Sequence, residues 1–170
     1  MSERIWVKDN ERLEHVTIGN RRWRNFRGER SENNKMGRRL FNIFLPEPLA
    51  KELKEIGWHV KTHQPYREGD DPSYTLEIEA SYDTKGGRFA PPVVTMVAYD
   101  GVETALTEET IGMLDTADIQ EALVEFRPNN WEVNDKWGCK AYLVELTAYL
   151  KMPRRARNAS LRDQEDEEDF

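Results

Sequence analysis

Between Arg21 and Arg39 the sequence sets two large aromatics, Trp23 and Phe26, among Arg21, Arg22, Arg24 and Arg27, with Lys35, Arg38 and Arg39 close behind. Flat apolar rings and fixed cations in one short segment suit a ligand that carries both exposed ring faces and a line of negative charge. A single-stranded nucleic acid is such a ligand. Its phosphates attract Arg and Lys, with release of counterions. Its unstacked bases accept aromatic rings, at about 1–3 kcal/mol per base. A duplex offers the phosphates but no unstacked base, so exposed aromatics favour single strands. The plain alternative is that Trp23 and Phe26 are core residues and the arginines their solvated rim. Two further segments repeat the combination. Lys85, Arg88 and Phe89 lie in the glycine-containing stretch TKGGRFAPP, and Trp131, Lys136, Trp137 and Lys140 lie in and around NNWEVNDKWG. Both are open to the same packing alternative.

Catalytic constellations are sparse. His59 and His63 are four apart, but in a segment that reads as strand and loop, where they do not face one another as they would on a helix. Cys139 is the sole thiol, and a zinc site from these three residues lacks a fourth ligand. Glu77 and Glu79 share a strand face, with Asp70, Asp71 and Asp83 nearby. Such carboxylates can hold Mg²⁺ for nuclease work, and they can equally form a solvated strand face. Neither a GxxxxGK[ST] phosphate loop nor a GxSxG elbow is present. The residues thus favour a binding protein without cofactor or metal over an enzyme.

Charge distribution supports that preference. The net charge of −7 argues by itself against nucleic acid. Yet Arg21–Arg39 holds eight Arg or Lys against two Glu, a local balance of +6, and six of the seven residues in Asp163–Asp169 are acidic. A chain polarised in this way expects charged partners. Five Trp, six Tyr and six Phe in 170 residues supply ample surface to bury, which suits one folded domain. No apolar run approaches the roughly 20 residues of a membrane span, and MSERIWVKDNER lacks a signal-like apolar stretch. With a single cysteine, a reducing cytoplasm is the expected compartment.

The elements that must position these groups read as mostly β. Ile5, Val7 and then Leu13, Val16, Ile18 alternate, and Gly19-Asn20 and Gly28 are turn residues. LFNIFL (40–45) is a dense strand signal. Pro46-Glu47-Pro48 opens a helix whose Leu49, Leu53 and Ile56 share one face, and Gly57 ends it. WHVKTH (58–63), YTLEIEASY (74–82) and VVTMVAY (93–99) follow as strands, with Asp100-Gly101 as a hairpin turn. Thr107 is placed to cap a short helix. ALVEFR (122–127) and AYLVELTAYL (141–150) are two more strands, with a polar loop between them that carries both tryptophans. Short strands around one amphipathic helix suggest a small β-barrel with one or two short helices, of which the OB-fold is the best specific match. The folded domain spans 1–152, and 153–170, poor in apolar residues, is expected to be a disordered tail.

That tail ends DQEDEEDF. Asp166, Glu167, Glu168 and Asp169 lead to a terminal Phe170, a ring and carboxylate flanked by negatives that could hook into a basic pocket on a partner. It resembles the tails of bacterial and tailed-phage single-stranded DNA-binding proteins. GRRLFNIFLPEPLAKELKEIGWHVK and WEVNDKWGCKAYLVELTAYLKM also resemble a family of phage OB-fold proteins of this kind, loosely, over most of residues 20–150. The resemblance implies a protein that coats single-stranded DNA in phage replication or recombination inside a bacterial host cell. It implies that the tail competes with DNA for the groove and recruits replication or recombination partners. No long Gly/Gln/Pro-rich linker precedes the tail, so the bacterial mode of tetramerisation is not implied. Two other readings stay open: a metal-dependent nuclease using Glu77 and Glu79, and a barrel that binds RNA or only protein.

Overall fold

The structure, a computed structural model, describes residues 6–153; the expected acidic tail lies outside the described residues. Among the described residues nine strands run β1 (Glu11–Ile18), β2 (Arg24–Asn25), β3 (Leu40–Leu45), β4 (Val60–His63), β5 (Ser73–Glu79), β6 (Val93–Val97), β7 (Glu103–Leu106), β8 (Ile119–Val133) and β9 (Lys136–Leu150), with one α-helix, α1 (Glu47–Ile56), between β3 and β4. Two short 3₁₀ helices, Arg21–Trp23 and Ile111–Asp115, complete the set.

Five of the strands close a circuit. β1 pairs with β3, β3 with β5, β5 with β9, β9 with β8, and β8 with β1. All of these contacts are antiparallel except β5–β9, which is parallel. This is the five-stranded OB arrangement the sequence suggested, with β4 added outside β5 and the β6–β7 hairpin outside β9. Alternation explains the interior. Phe41, Ile43 and Leu45 of β3, Leu76 and Ile78 of β5, Val124 and Phe126 of β8, and Leu146 and Ala148 of β9 all point inward and are buried. The helix begins after Pro46 and ends at Gly57, whose φ of 125° suits glycine. Its buried residues are Ala50 and Leu53, with Ile56 left exposed at the C-terminal end. Trp58 follows and meets Phe126 edge-on at 4.8 Å. Among the described residues no helix is long and apolar enough to cross a membrane.

Three expectations need correction. The polar stretch 128–140 is not a loop: β8 and β9 pair without a break from Phe126↔Leu143 to Val133↔Lys136. The turn is only Asn134-Asp135, with φ of 49° and 66°, the left-handed pair a type I′ hairpin requires. The short helix near Thr107 starts later, as the 3₁₀ helix at Ile111. Thr107 and Thr110 instead form a preceding turn, in which the Thr107 N–H donates to Thr110 Oγ1 at 2.7 Å.

The third correction concerns the basic-aromatic segment, which is largely structural. Phe26 is fully buried and stacks on Phe41 at 4.6 Å. Arg24 donates to the carbonyls of Gly19, Leu114 and Ala117 at 2.6–3.0 Å. The Asp115 carboxylate accepts from the backbone N–H groups of Phe26 and Arg27 at 2.6 and 3.0 Å. Segment 19–27 is thereby pinned to the 3₁₀ helix, which leaves neither Phe26 nor Arg24 free for a ligand. Phe26→Ala is therefore expected to lower unfolding free energy by about 3–5 kcal/mol, read from a denaturant melt; a loss below about 1 kcal/mol would return Phe26 to the surface.

Candidate nucleic-acid interface

The outer face of β3, β5 and β4 carries the residues that alternate with the core. Cross-strand pairs Leu40↔Glu79, Asn42↔Glu77 and Phe44↔Thr75 lie on it, with Lys61 and His63 of β4 beside Thr75 and Ser73. Trp23 covers one end, meeting Phe44 edge-on at 5.7 Å and His63 at 5.2 Å. His63 Nε2 is hydrogen-bonded to Thr75 Oγ1 at 2.8 Å, which fixes the imidazole under the indole. Gly19 makes room for this: a Cβ there would fall 2.4 Å from Trp23 Cβ.

At the other end the face meets the β8–β9 hairpin arm, and a groove of about 590 Å³ opens between them. Arg38, Lys61, Lys136 and Lys140 give it positive charge; Trp131 and Trp137 give it flat apolar surface. Trp131 pairs across the hairpin with Gly138 and is 37% exposed. Its ring lies where a side chain at position 138 would be, 2.9 Å from an ideal Cβ. The glycine is thus the seat that holds the indole at the groove wall.

Three carboxylates, Glu77, Glu79 and Asp135, also line the groove. Glu77 is exposed, whereas the Glu79 side chain is only 16% exposed, beneath Arg38, with Oε1 3.9 Å from Arg38 Nε. Burial raises the Glu79 pKa and Glu77 adds to the rise; Arg38 and Lys140 oppose it. Among the described residues no three His, Cys, Asp or Glu side chains come together to hold a metal ion. Glu77 and Glu79 instead share a groove with Arg38, Lys61, Lys136 and Lys140. Cys139 is buried in the groove wall, and burial pushes its thiol pKa up to about 11.

Next to the groove, β9 presents Tyr142, which pairs with Glu79 of β5 and with Arg127 of β8. The Arg127 guanidinium carbon sits 4.7 Å from the Tyr142 ring centroid and 3.9 Å from that of Phe89. Loop 84–90 therefore folds back onto the barrel beside the groove. Lys85 is exposed there, 3.1 Å from Asp83, and Arg88 lies over Phe89 at 5.5 Å.

The structure thus sorts the residues singled out by type. Arg38, Trp131, Lys136, Trp137 and Lys140 come together in the groove. Lys85, Arg88 and Phe89 stand beside it, and Trp23 lies at the far end of the same face, with Arg21 and Arg22 exposed on its 3₁₀ helix. Lys35 is exposed in the 28–38 connection. Arg27 and Arg39 line a second, smaller cavity with Glu108. There Arg39 donates to the Phe26 and Arg27 carbonyls and faces Glu108 at 3.7 Å, while Arg27 faces Glu29 at 3.8 Å. Arg39 is committed within the fold, whereas Arg27 is exposed and, among the described residues, its guanidinium is held only by that surface pair. Residue type alone did not single out Leu40, Lys61, Arg127 or Tyr142, and it weighed His59 only as a metal ligand. The Asn-Asp turn was the available signal, because centring the hairpin on it pairs Arg127 with Tyr142 and Trp131 with Gly138.

An OB circuit whose β3–β5 face meets a basic, tryptophan-bearing hairpin defines a single-strand nucleic-acid-binding barrel. The chain belongs to the family described as "Putative phage ssDNA-binding domain", whose model matches residues 4–163. It is accordingly a binding protein and not an enzyme. The fold is shared with the single-stranded DNA-binding protein from bacteriophage Enc34 in complex with ssDNA, at TM-score 0.50 and 11% identity, over 84% of this chain and 86% of that one. The single-stranded DNA-binding protein gp2.5 of bacteriophage T7 aligns at TM-score 0.40 and 12% identity, over 85% and 93%. No curated protein sequence matches the chain.

Trp131→Ala is expected to weaken ssDNA binding by about 1–3 kcal/mol in a fluorescence-anisotropy titration, and Gly138→Ala to weaken it in the same direction by unseating the indole. Wild-type affinity in both variants would remove Trp131 from the interface. Glu79 supplies a pH test. A raised pKa means that it takes up a proton above the ordinary carboxylate range as pH falls. Protonation removes a negative charge from the groove, so ssDNA affinity should rise as pH falls through that window. Glu79→Gln should flatten this dependence and tighten binding at neutral pH, by up to about 1 kcal/mol or roughly fivefold.

Proposed function

We propose that this chain coats and protects single-stranded DNA with little regard to sequence during phage replication or recombination, in the cytoplasm of a bacterial host cell. The observation that carries the reading is the groove between the β3–β5 face and the β8–β9 arm, where four cations and two tryptophans converge. Cations follow the phosphates whatever the base, and every base has a face for a ring. No array of donors and acceptors typical of base-edge readout is needed for such binding.

The acidic tail belongs to the same proposal. Six carboxylates within Asp163–Asp169 are tethered to a domain whose groove is basic. A tethered ligand acts at roughly millimolar effective concentration when the tether is short and able to span the distance. The tail then competes with DNA for the groove, and when displaced it presents Asp166, Glu167, Glu168, Asp169 and Phe170 to replication or recombination proteins.

A gel-shift panel with ssDNA, duplex and RNA at two salt concentrations tests the core of this. The expected result is a shift of ssDNA above the others, intact with Mg²⁺ or EDTA, and a log–log salt slope of about −0.7 per phosphate neutralised. Preference for RNA would point to 2′-hydroxyl readout, and a slope near zero would remove the electrostatic part. Deleting residues 163–170 should tighten ssDNA binding, most at low salt, where screening is weakest. Phe170→Ala should leave DNA affinity nearly unchanged and weaken a partner that reads the terminal ring. Unchanged affinity of the deletion at low salt would reduce the tail to a solubiliser.

A further inference from the structure

We propose that Arg127 is a phosphate-binding residue, marking where the strand leaves the groove and passes beside loop 84–90; this rests on the ssDNA-binding reading above. The argument starts from what arginines elsewhere in the fold do with their donors. Arg24 gives its donors to three backbone carbonyls. Arg39 gives its own to two carbonyls and faces Glu108. Arg12 faces Glu125 and Glu145. Arg127 is partly buried like Arg24 and Arg39, yet among the described residues its guanidinium has neither a hydrogen bond nor an ion pair. Its neighbours are two rings, Phe89 at 3.9 Å and Tyr142 at 4.7 Å.

Rings stabilise a cation through their faces but give its in-plane N–H groups nothing to bond. A guanidinium carries five such donors in a fixed fork. Stacking therefore fixes the plane of Arg127 and leaves the fork unfilled, and partial burial has already removed some of its water. A phosphate oxygen pair is the ligand that matches a planar fork and neutralises its charge.

Position fits the same ligand. Arg127, Asn129 and Trp131 alternate onto one face of β8, opposite Tyr142, Lys140 and Gly138 of β9. Trp131 and Lys140 line the groove. Tyr142, the partner of Arg127, stands two residues along β9 from Lys140, about 7 Å at strand rise. Arg127 thus continues the line of groove cations past its end, with Lys85 and Arg88 exposed in the adjoining loop. It also holds that loop through Phe89, so a strand bound there would lie against a clamp already anchored to the barrel.

The test measures ssDNA affinity of the full chain by fluorescence anisotropy over a salt series, with a labelled oligothymidylate long enough to pass beyond the groove, about 16 nucleotides or more. Arg127→Met keeps an unbranched side chain between the rings and removes charge and fork. It should lower affinity roughly tenfold at low salt and make the log–log slope shallower by about 0.7. Arg127→Lys should restore the slope but not the full affinity, since a point charge replaces a fork. Wild-type slope and affinity in Arg127→Met, with Trp131→Ala still weakened, would overturn the proposal and leave Arg127 as a pin for the loop. Should Arg127→Met melt early, the Lys variant decides: reduced affinity at an unchanged slope supports the fork, and unchanged affinity overturns it. If the wild-type chain fails to bind the oligonucleotide at any salt, the ssDNA-binding reading falls, and this inference with it.

Discussion

Two parallel residue pairs, Ile78↔Ala141 and Glu79↔Tyr142, join one side of the sheet to the other. Without them the sheet would stay open between β5 and β9, and the β3–β5 face would not adjoin the hairpin arm. Parallel pairing is slightly weaker per residue than antiparallel pairing, and here it is short. The closure must therefore lean on side chains. Ile78, Ala141, Leu143 and Phe126 are all buried around it. On the outer side the same closure sets Glu79 beside Tyr142, and the β3–β5 pairing brings Arg38 within reach of Glu79. Core and interface thus share one seam, and the groove exists because the barrel closes.

How legible each part was in the sequence follows from this arrangement. β3, α1 and β5 are half-buried, so their apolar positions recur at periods 2 and 3.6, and their limits lie close to those read from the residues. β8 and β9 were legible only where they cross the core. Beyond Phe126 the hairpin arm leaves the barrel, and most of its side chains no longer alternate between buried and exposed. A strand with no core face has no apolar alternation, so it reads as a polar loop. The segment 21–27 misled for the opposite reason. Arginines beside aromatics look alike whether they meet a ligand or satisfy carbonyls, and only tertiary partners separate Phe26, stacked on Phe41, from Trp23, perched over His63. Composition pointed to the arm and the 84–90 loop, residues the structure gathers in and beside one groove, without distinguishing the rings and cations that serve the fold.

The charge pattern of the groove sets its working range. A groove of cations alone would hold a polyanion tightly and expose unpaired positive charge when empty. Glu77, Glu79 and Asp135 temper both effects. Arg38 has a carboxylate to rest against until a phosphate arrives, which keeps the side chain near the groove at little cost in exposed ion-pair energy. On the proposed reading, binding would exchange one anion for another, with a small net gain per contact. A protein that must cover a long strand and later release it is served by many such modest contacts more than by a few strong ones.

The arm shows the same logic in its apolar parts. Outside the core a tryptophan has few neighbours to orient it, and a freely rotating indole would lose conformational entropy on meeting a base. Gly138 removes that difficulty by leaving a bare backbone seat across the hairpin, on which the Trp131 ring lies before any ligand is bound. Phe89 is oriented in a comparable way by stacking on Arg127. Local propensity is sacrificed at both places: a glycine in mid-strand, and a guanidinium half-buried between rings. Departures of this kind from the best local choice concentrate where a surface is built to meet something else. Both stand on the one stretch of the β8–β9 hairpin that contributes least to the core.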